Sequence, residues 1–150
     1  MNLTLAIDPG ASGGVAWKDG NGIYSCEPMP PTPGDVCDLL RGIVAVGRVR
    51  CYMEKVNGYM GNASPGSAMF RFGQGVGYIE GCLAAWGVSL IEVPPQRWIK
   101  ALGLGIRGEL GKAAWKRKLQ AEAQRRFPQL KVTLKTADAL LILAAMEEMA

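Results

Sequence analysis

The stretch Leu3-Thr4-Leu5-Ala6-Ile7-Asp8-Pro9-Gly10 decides how this chain is read. Its first five residues are apolar or β-prone and run to a carboxylate, and Pro9-Gly10 then stops a central strand. Gly13-Gly14 closes the turn, and Val15-Ala16-Trp17 reads as a second strand. Asp19-Gly20-Asn21-Gly22 is a hairpin signal, with Ile23 to Cys26 as the returning third strand. The chain therefore opens on three hairpin-joined strands, the first ending in an acid.

Working outward, the pattern changes period. Pro28 to Gly34 holds four prolines and reads as a loop; Asp35 is the expected cap of a helix with Val36, Leu39, Leu40, Ile43 and Val44 on its apolar positions. Val49 to Met53 is a fourth strand ending at Glu54, and a polar, glycine-rich loop follows from Asn57 to Gly66. Ser67 is the expected cap of a long helix reaching about Trp86, in which Gly73, Gly77 and Gly81 share one face. That smooth face suits either packing inside the domain or a seam between two copies. Val88 to Val93 is a fifth strand, stopped by Pro94-Pro95, and a short helix then runs through Leu102. A basic helix spans Lys112 to Phe127, and a last, apolar helix runs from Thr136 through Met146. Hairpins followed by alternating helix and strand imply an α/β fold, a mixed five-stranded sheet flanked by helices with strands one, four and five parallel in its middle. Residues 1–150 read as a single domain without repeats or a linker.

Composition narrows the function classes. The 150 residues are 49% hydrophobic and 20% charged, an ordinary globular balance. No apolar run approaches the length of a membrane span, and Met1-Asn2-Leu3 has no basic leader, so a cytoplasmic protein is expected. Net charge is only +4, but it is unevenly placed. Residues 1–96 carry six basic and eight acidic side chains, whereas residues 97–135 carry eleven and two. That block suits a phosphate backbone; a solvated helix face is the plainer alternative. Cys26, Cys37, Cys51 and Cys82 have no metal-binding spacing, and reduced core thiols are expected. There is no histidine, which excludes Ser-His-Asp and Cys-His catalysis. Gly108-Glu109-Leu110-Gly111-Lys112 has a phosphate-loop flavour but lacks the first glycine and the Ser or Thr after lysine.

Asp8 and Glu54 end neighbouring parallel strands, the side on which open α/β sheets place their sites, and Asp138 sits in the first turn of the final helix. Each acid alone has a structural explanation as a turn or helix-end residue. Together at one point they repel one another, and Mg²⁺ or Mn²⁺ relieves that repulsion. A hard-metal site beside a basic block points to phosphodiester chemistry.

Ile7-Asp8-Pro9-Gly10, Met53-Glu54-Lys55-Val56, Phe72-Gly73-Gln74-Gly75-Val76-Gly77 and Ala137-Asp138-Ala139-Leu140, in this order and over nearly the whole chain, resemble the RuvC family of Holliday junction resolvases. The compact length and Pro94-Pro95-Gln96-Arg97-Trp98 look closest to phage and bacterial members. The resemblance implies an RNase H-like fold and a homodimer through the Ser67–Trp86 helix. It also implies Mg²⁺-dependent cleavage, with Mn²⁺ able to substitute, of two symmetric strands at four-way or other branched DNA. By the same resemblance Asp8, Glu54 and Asp138 hold two Mg²⁺ ions, one activating water and one stabilising the leaving 3′ oxygen. Asn57, Tyr59 and Met60 fall where the family probes the junction centre. Arg71, Lys100, Arg107, Lys112 and Lys116 complete the expected DNA-binding set.

The chain departs from the family at one position. A fourth acid usually lies three or four residues before the last carboxylate; here those positions are Lys135 and Leu134. Either three acids suffice, or Lys135 supplies positive charge to the transition state as a catalytic group, or metal binding is impaired. Alternatives of the same fold are a nuclease for structured RNA or flaps, and a junction-binding protein with impaired catalysis. An actin-like ATPase or sugar kinase would need two such domains, about twice this length.

Overall fold

The computed structural model describes residues 2–56 and 65–150. The five strands are β1 (Asn2–Asp8), β2 (Gly14–Lys18), β3 (Tyr24–Pro28), β4 (Arg48–Glu54) and β5 (Leu90–Val93). The helices are α1 (Pro33–Val44), α2 (Gly66–Ala85), α3 (Pro95–Ala101), α4 (Lys112–Arg126) and α5 (Ala137–Glu148). The sheet order is β3-β2-β1-β4-β5, so β1 is central and β5 lies at the edge rather than in the middle. The β1–β2 and β2–β3 pairs are antiparallel, whereas β1–β4 and β4–β5 are parallel. This is the expected mixed α/β sheet.

Alternation along the strands sorts the core into two layers. Leu3, Leu5 and Ile7 of β1 join Cys51 and Met53 of β4 on one face, under Val36, Leu40 and Ile43 of α1 and Val76, Ile79 and Leu83 of α2. Ala6, Ala16 and Val93 turn to the other face, where α3, α4 and α5 contribute Trp98, Leu119, Ala123 and the residues of α5 from Ala137 to Met146. Ten consecutive residues of α5 are buried because the helix lies between the sheet and its neighbours α3 and α4. A helix stretch enclosed on every side is apolar all round, as residues 137–146 are except at Asp138, while Glu147 and Glu148 lie beyond the buried stretch.

Local details differ from the sequence expectations where several capping residues compete. Thr32, not Asp35, caps α1: its Oγ1 accepts from the Asp35 amide at 3.1 Å. Pro at the first helical position fixes the start there, placing Asp35 inside the first turn. The residue before α2 is Pro65, with Ser67 already inside the helix. Thr136 precedes α5, but its hydroxyl accepts from the Thr133 amide at 3.0 Å instead of capping the helix. Reduced thiols were expected throughout; Cys26 and Cys51 are free, but Cys37 and Cys82 pair as a disulfide. The pairing follows from α1 and α2 packing side by side on one sheet face, which brings residues 45 apart together. Burial pushes the Cys51 thiol up to about 12.

The glycines fall into two kinds. In the β1–β2 turn, a Cβ on Gly13 would stand 2.0 Å from the Asp8 carbonyl oxygen, and one on Gly14 would stand 2.6 Å from the Lys135 carbonyl oxygen. The first approach tightens the turn on itself, and the second locks it against the chain leading into α5. On α2, by contrast, a Cβ at Gly73, Gly77 or Gly81 would meet nothing within 4 Å. That face is exposed, so packing inside the domain does not account for it. We predict that Gly13→Ala destabilises by about 1–3 kcal/mol or more, because only backbone could yield. In the single chain, where a Cβ at this position meets nothing, Gly77→Ala instead stabilises by up to ~1 kcal/mol through helix propensity. Urea titrations of the two variants give the comparison; equal effects would contradict this turn geometry.

Candidate active site

Asp8 shares the parity of Ala6, and Glu54 that of Tyr52, so both carboxylates leave the sheet on the α5 side. The parallel register pairs Ile7 with Met53, which sets the next residues, Asp8 and Glu54, side by side at the strand ends. Asp138 enters from the first turn of α5, the helix packed on that face. Three elements thus deliver three acids to the carboxyl end of the sheet. Asp8 and Asp138 are 9% and 7% exposed, unusual for carboxylates, while Glu54 is half-buried.

Their electrostatics show mutual proximity. Burial, then the charges of Asp138 and Glu54, push the Asp8 carboxyl well above its ordinary range, with Lys116 opposing. Burial also raises Glu54; an indole N–H bond from Trp98 and the charge of Lys116 pull it back, and Asp138 pushes it up. Burial raises Asp138 too, opposed by the charge and hydrogen bond of Lys116. Trp98 Nε1 donates to Glu54 Oε2 at 2.9 Å, and Lys116 Nζ stands 3.4 Å from Asp138 Oδ2. Asp138 Oδ1 is buried without a partner.

Among the described residues, no three acidic, cysteine or histidine side chains close tightly enough to enclose a cation. The donor chemistry nonetheless fits a hard divalent ion: the donors are carboxylate oxygens, they repel one another, and one buried oxygen is orphaned. Asp8, Glu54 and Asp138 are the residues that could hold it.

The remaining sequence candidates divide around this centre. Lys116 lies in it. Lys135 is exposed; with Arg71 it lines a cleft of about 760 Å³ that also includes Gly10, Phe72 and Tyr78. Lys100 and Arg107 line an apolar recess of about 690 Å³ between α3 and α4, with Ile99, Ile106 and Trp115. Lys112 is exposed at the first position of α4. Asn57, Tyr59 and Met60 lie outside the described residues. A further cleft, about 790 Å³, is at the opposite end of the sheet, around Asn2, Arg48 and Ser89, remote from the acids. Sequence reasoning missed Trp98 as the partner of Glu54, although the Pro94-Pro95 start of α3 was the signal that a helix turns back there.

Comparison with solved structures gives the same architecture. The chain is similar to RuvC of Thermus thermophilus in complex with Holliday junction substrate, with TM-score 0.59 and 14% identity over 97% of this chain and 93% of that one. A second Thermus thermophilus RuvC structure matches with TM-score 0.55 and 16% identity over the same shares. The fold is therefore the RNase H-like fold of RuvC. No protein-family model matches the chain, and no curated protein matches it. No helix among the described residues is long and apolar enough to cross a membrane.

Raised carboxylate values mean that the folded protein binds more protons than the unfolded chain above the ordinary carboxylate pKa. The acids' contribution to stability is then most favourable at low pH and declines as pH rises through their folded values. Without added metal, Asp8→Asn should raise Tm at neutral pH, by about 3 °C for each ~1 kcal/mol of repulsion relieved at this length. It should also flatten the fall of Tm with rising pH, as measured by calorimetry; a lower Tm would mean that Asp8 is not repelled.

Proposed function

We propose that this chain is a structure-selective endonuclease of branched DNA. It resolves four-way junctions by divalent-metal-dependent phosphodiester hydrolysis and belongs with the phage and bacterial RuvC-like proteins. The observation that carries the reading is the meeting of Asp8, Glu54 and Asp138, from three separate elements, at the carboxyl end of a RuvC-like sheet. Asp8, Glu54 and Asp138 would hold Mg²⁺ or Mn²⁺, which when bound would supply Lewis acidity and lower the pKa of a water. Trp98 orients Glu54 through its indole N–H, and the buried walls of Asp8 and Asp138 keep their carboxylates from turning to bulk water. Lys100, Arg107 and Lys112 neutralise backbone phosphates on the α3–α4 side. Arg71 and Lys135 do so across the Asp8 turn, where Lys135 adds positive charge near the scissile strand. Asn57, Tyr59 and Met60, outside the described residues, are assigned to the junction centre by the family resemblance alone.

The exposed glycine face of α2 supports a homodimer, since open space at Gly73, Gly77 and Gly81 allows a second helix to approach closely. Two copies of one domain, residues 1–150, then offer two sites to opposed strands. A junction-binding protein without turnover is the second reading; Lys135 in place of a fourth acid, and the lack of a closed three-acid cluster among the described residues, favour it.

One assay on a mobile four-way junction with Mg²⁺ and Mn²⁺ separates them. Paired symmetric nicks are expected, absent in Asp8→Asn while junction binding persists; tight binding without nicks in either metal selects the second reading. Replacing Lys100 and Lys112 with Ala together should reduce the slope of log affinity against log salt by about 1–2, the contribution of the lost phosphate contacts. An unchanged slope in filter-binding titrations moves the DNA face off α3 and α4.

A further inference from the structure

Lys116 stands in two environments at once. It belongs to the basic helix α4, one turn after Lys112, yet its ammonium lies 3.4 Å from Asp138 Oδ2. The other oxygen of that carboxylate is buried and unpartnered. The Lys116 side chain is 37% exposed, so its flexible stem has room to move. A contact of 3.4 Å is longer than the ~2.7–2.9 Å of a strong charge-assisted hydrogen bond, so little holds the ammonium there against a competing anion. An ammonium on Oδ2 repels a divalent ion at the same carboxylate, and a DNA phosphate reaching α4 is a second anion within range of the same side chain.

We propose that Lys116 is a positioning residue that couples DNA binding to metal binding. Without DNA its ammonium holds Asp138 and lowers the affinity of the acids for a divalent cation. A backbone phosphate on α4 draws the ammonium away and frees Asp138. Linkage is reciprocal, so metal tightens junction binding by the same factor. The inference rests on reading Asp8, Glu54 and Asp138 as the metal ligands and α4 as a DNA face.

The test uses the full chain and Ca²⁺ as the metal probe. Calorimetric titration without DNA should show Lys116→Gln binding Ca²⁺ at least about fivefold more tightly than wild type. Lys116→Arg should resemble wild type, and Lys112→Gln should change little. Lys116→Met, which keeps the apolar stem, carries the same test if the glutamine variant is unstable. Anisotropy of a labelled four-way junction, with and without Ca²⁺, gives the reciprocal measurement. The gain in junction affinity caused by Ca²⁺ should shrink in Lys116→Gln by the factor gained in DNA-free Ca²⁺ affinity. Unchanged or weaker Ca²⁺ binding by Lys116→Gln overturns the proposal, as does an equal gain in Lys112→Gln. If Asp138→Asn binds Ca²⁺ as tightly as wild type, the metal-site reading itself fails instead.

Discussion

The parallel register between β1 and β4 is the constraint on which the rest of the structure depends. Side chains alternate along each strand, so the pairing of Ile7 with Met53 fixes which face every neighbour occupies. With Leu3, Leu5, Ile7, Cys51 and Met53 committed to the α1–α2 layer, the next residues must turn toward α5. Asp8 and Glu54 arrive on that face as a consequence of the apolar pattern before them. A slip of one residue would invert one strand relative to the other and send its acid to the face away from Asp138. The small residues Ala6 and Ala16 on the same face leave room for α5 to lie directly on the sheet, and that close approach buries the carboxylate in its first turn.

The arrangement stores unfavourable electrostatics at one end of an otherwise apolar core. Three acids are each raised by burial, and Asp8 is raised further by the charges of both others. Among the described residues two polar partners oppose this, the Trp98 indole and the Lys116 ammonium, and neither reaches Asp138 Oδ1. A sequence selected for stability alone would place amides or apolar groups here. Sites that sacrifice stability in this way are characteristically functional. The two-layer core, with buried apolar residues on both faces of the sheet, is what lets the fold tolerate the strain.

Much of this was legible because it rests on local rules. Period-two alternation into Asp8, the Pro9-Gly10 stop and the Asp19–Gly22 hairpin specify the first three strands without reference to the rest of the chain. The acids' meeting point followed from topology, since parallel strands present their carboxyl ends together. What was not legible depended on long-range contact. Cys37 and Cys82 carry no spacing signal, because only helix packing brings them together. The buried surroundings of α5 gave no polar face from which to orient Asp138. Lys116 read as one of the expected DNA-binding residues, since nothing in a helical sequence says which lysine faces a carboxylate on another helix. Thr32 and Asp35 are both good caps, and proline at the helix start decided between them.

The basic block, which read as one uniform footprint, is graded along α4. At its carboxyl end Arg125 and Arg126 pair with Glu122, and Arg126 also reaches Glu148 at 2.8 Å. Midway, Lys118 donates to the Leu104 carbonyl at 2.8 Å and lies over the Trp115 ring, so it serves the structure. Toward the amino end Lys116 meets Asp138 and Lys112 is exposed, with no ion pair among the described residues. Positive charge left for an external anion is therefore concentrated at the end of α4 nearest the carboxylates. Internal pairing consumes the remainder far from the site. Had the gradient run the other way, phosphate would be drawn to the helix end farthest from the acids, and the two surfaces could not act on one strand. The single lysine at the boundary touches both, so the charge of the basic face of α4 and that of the carboxylate centre are not independent.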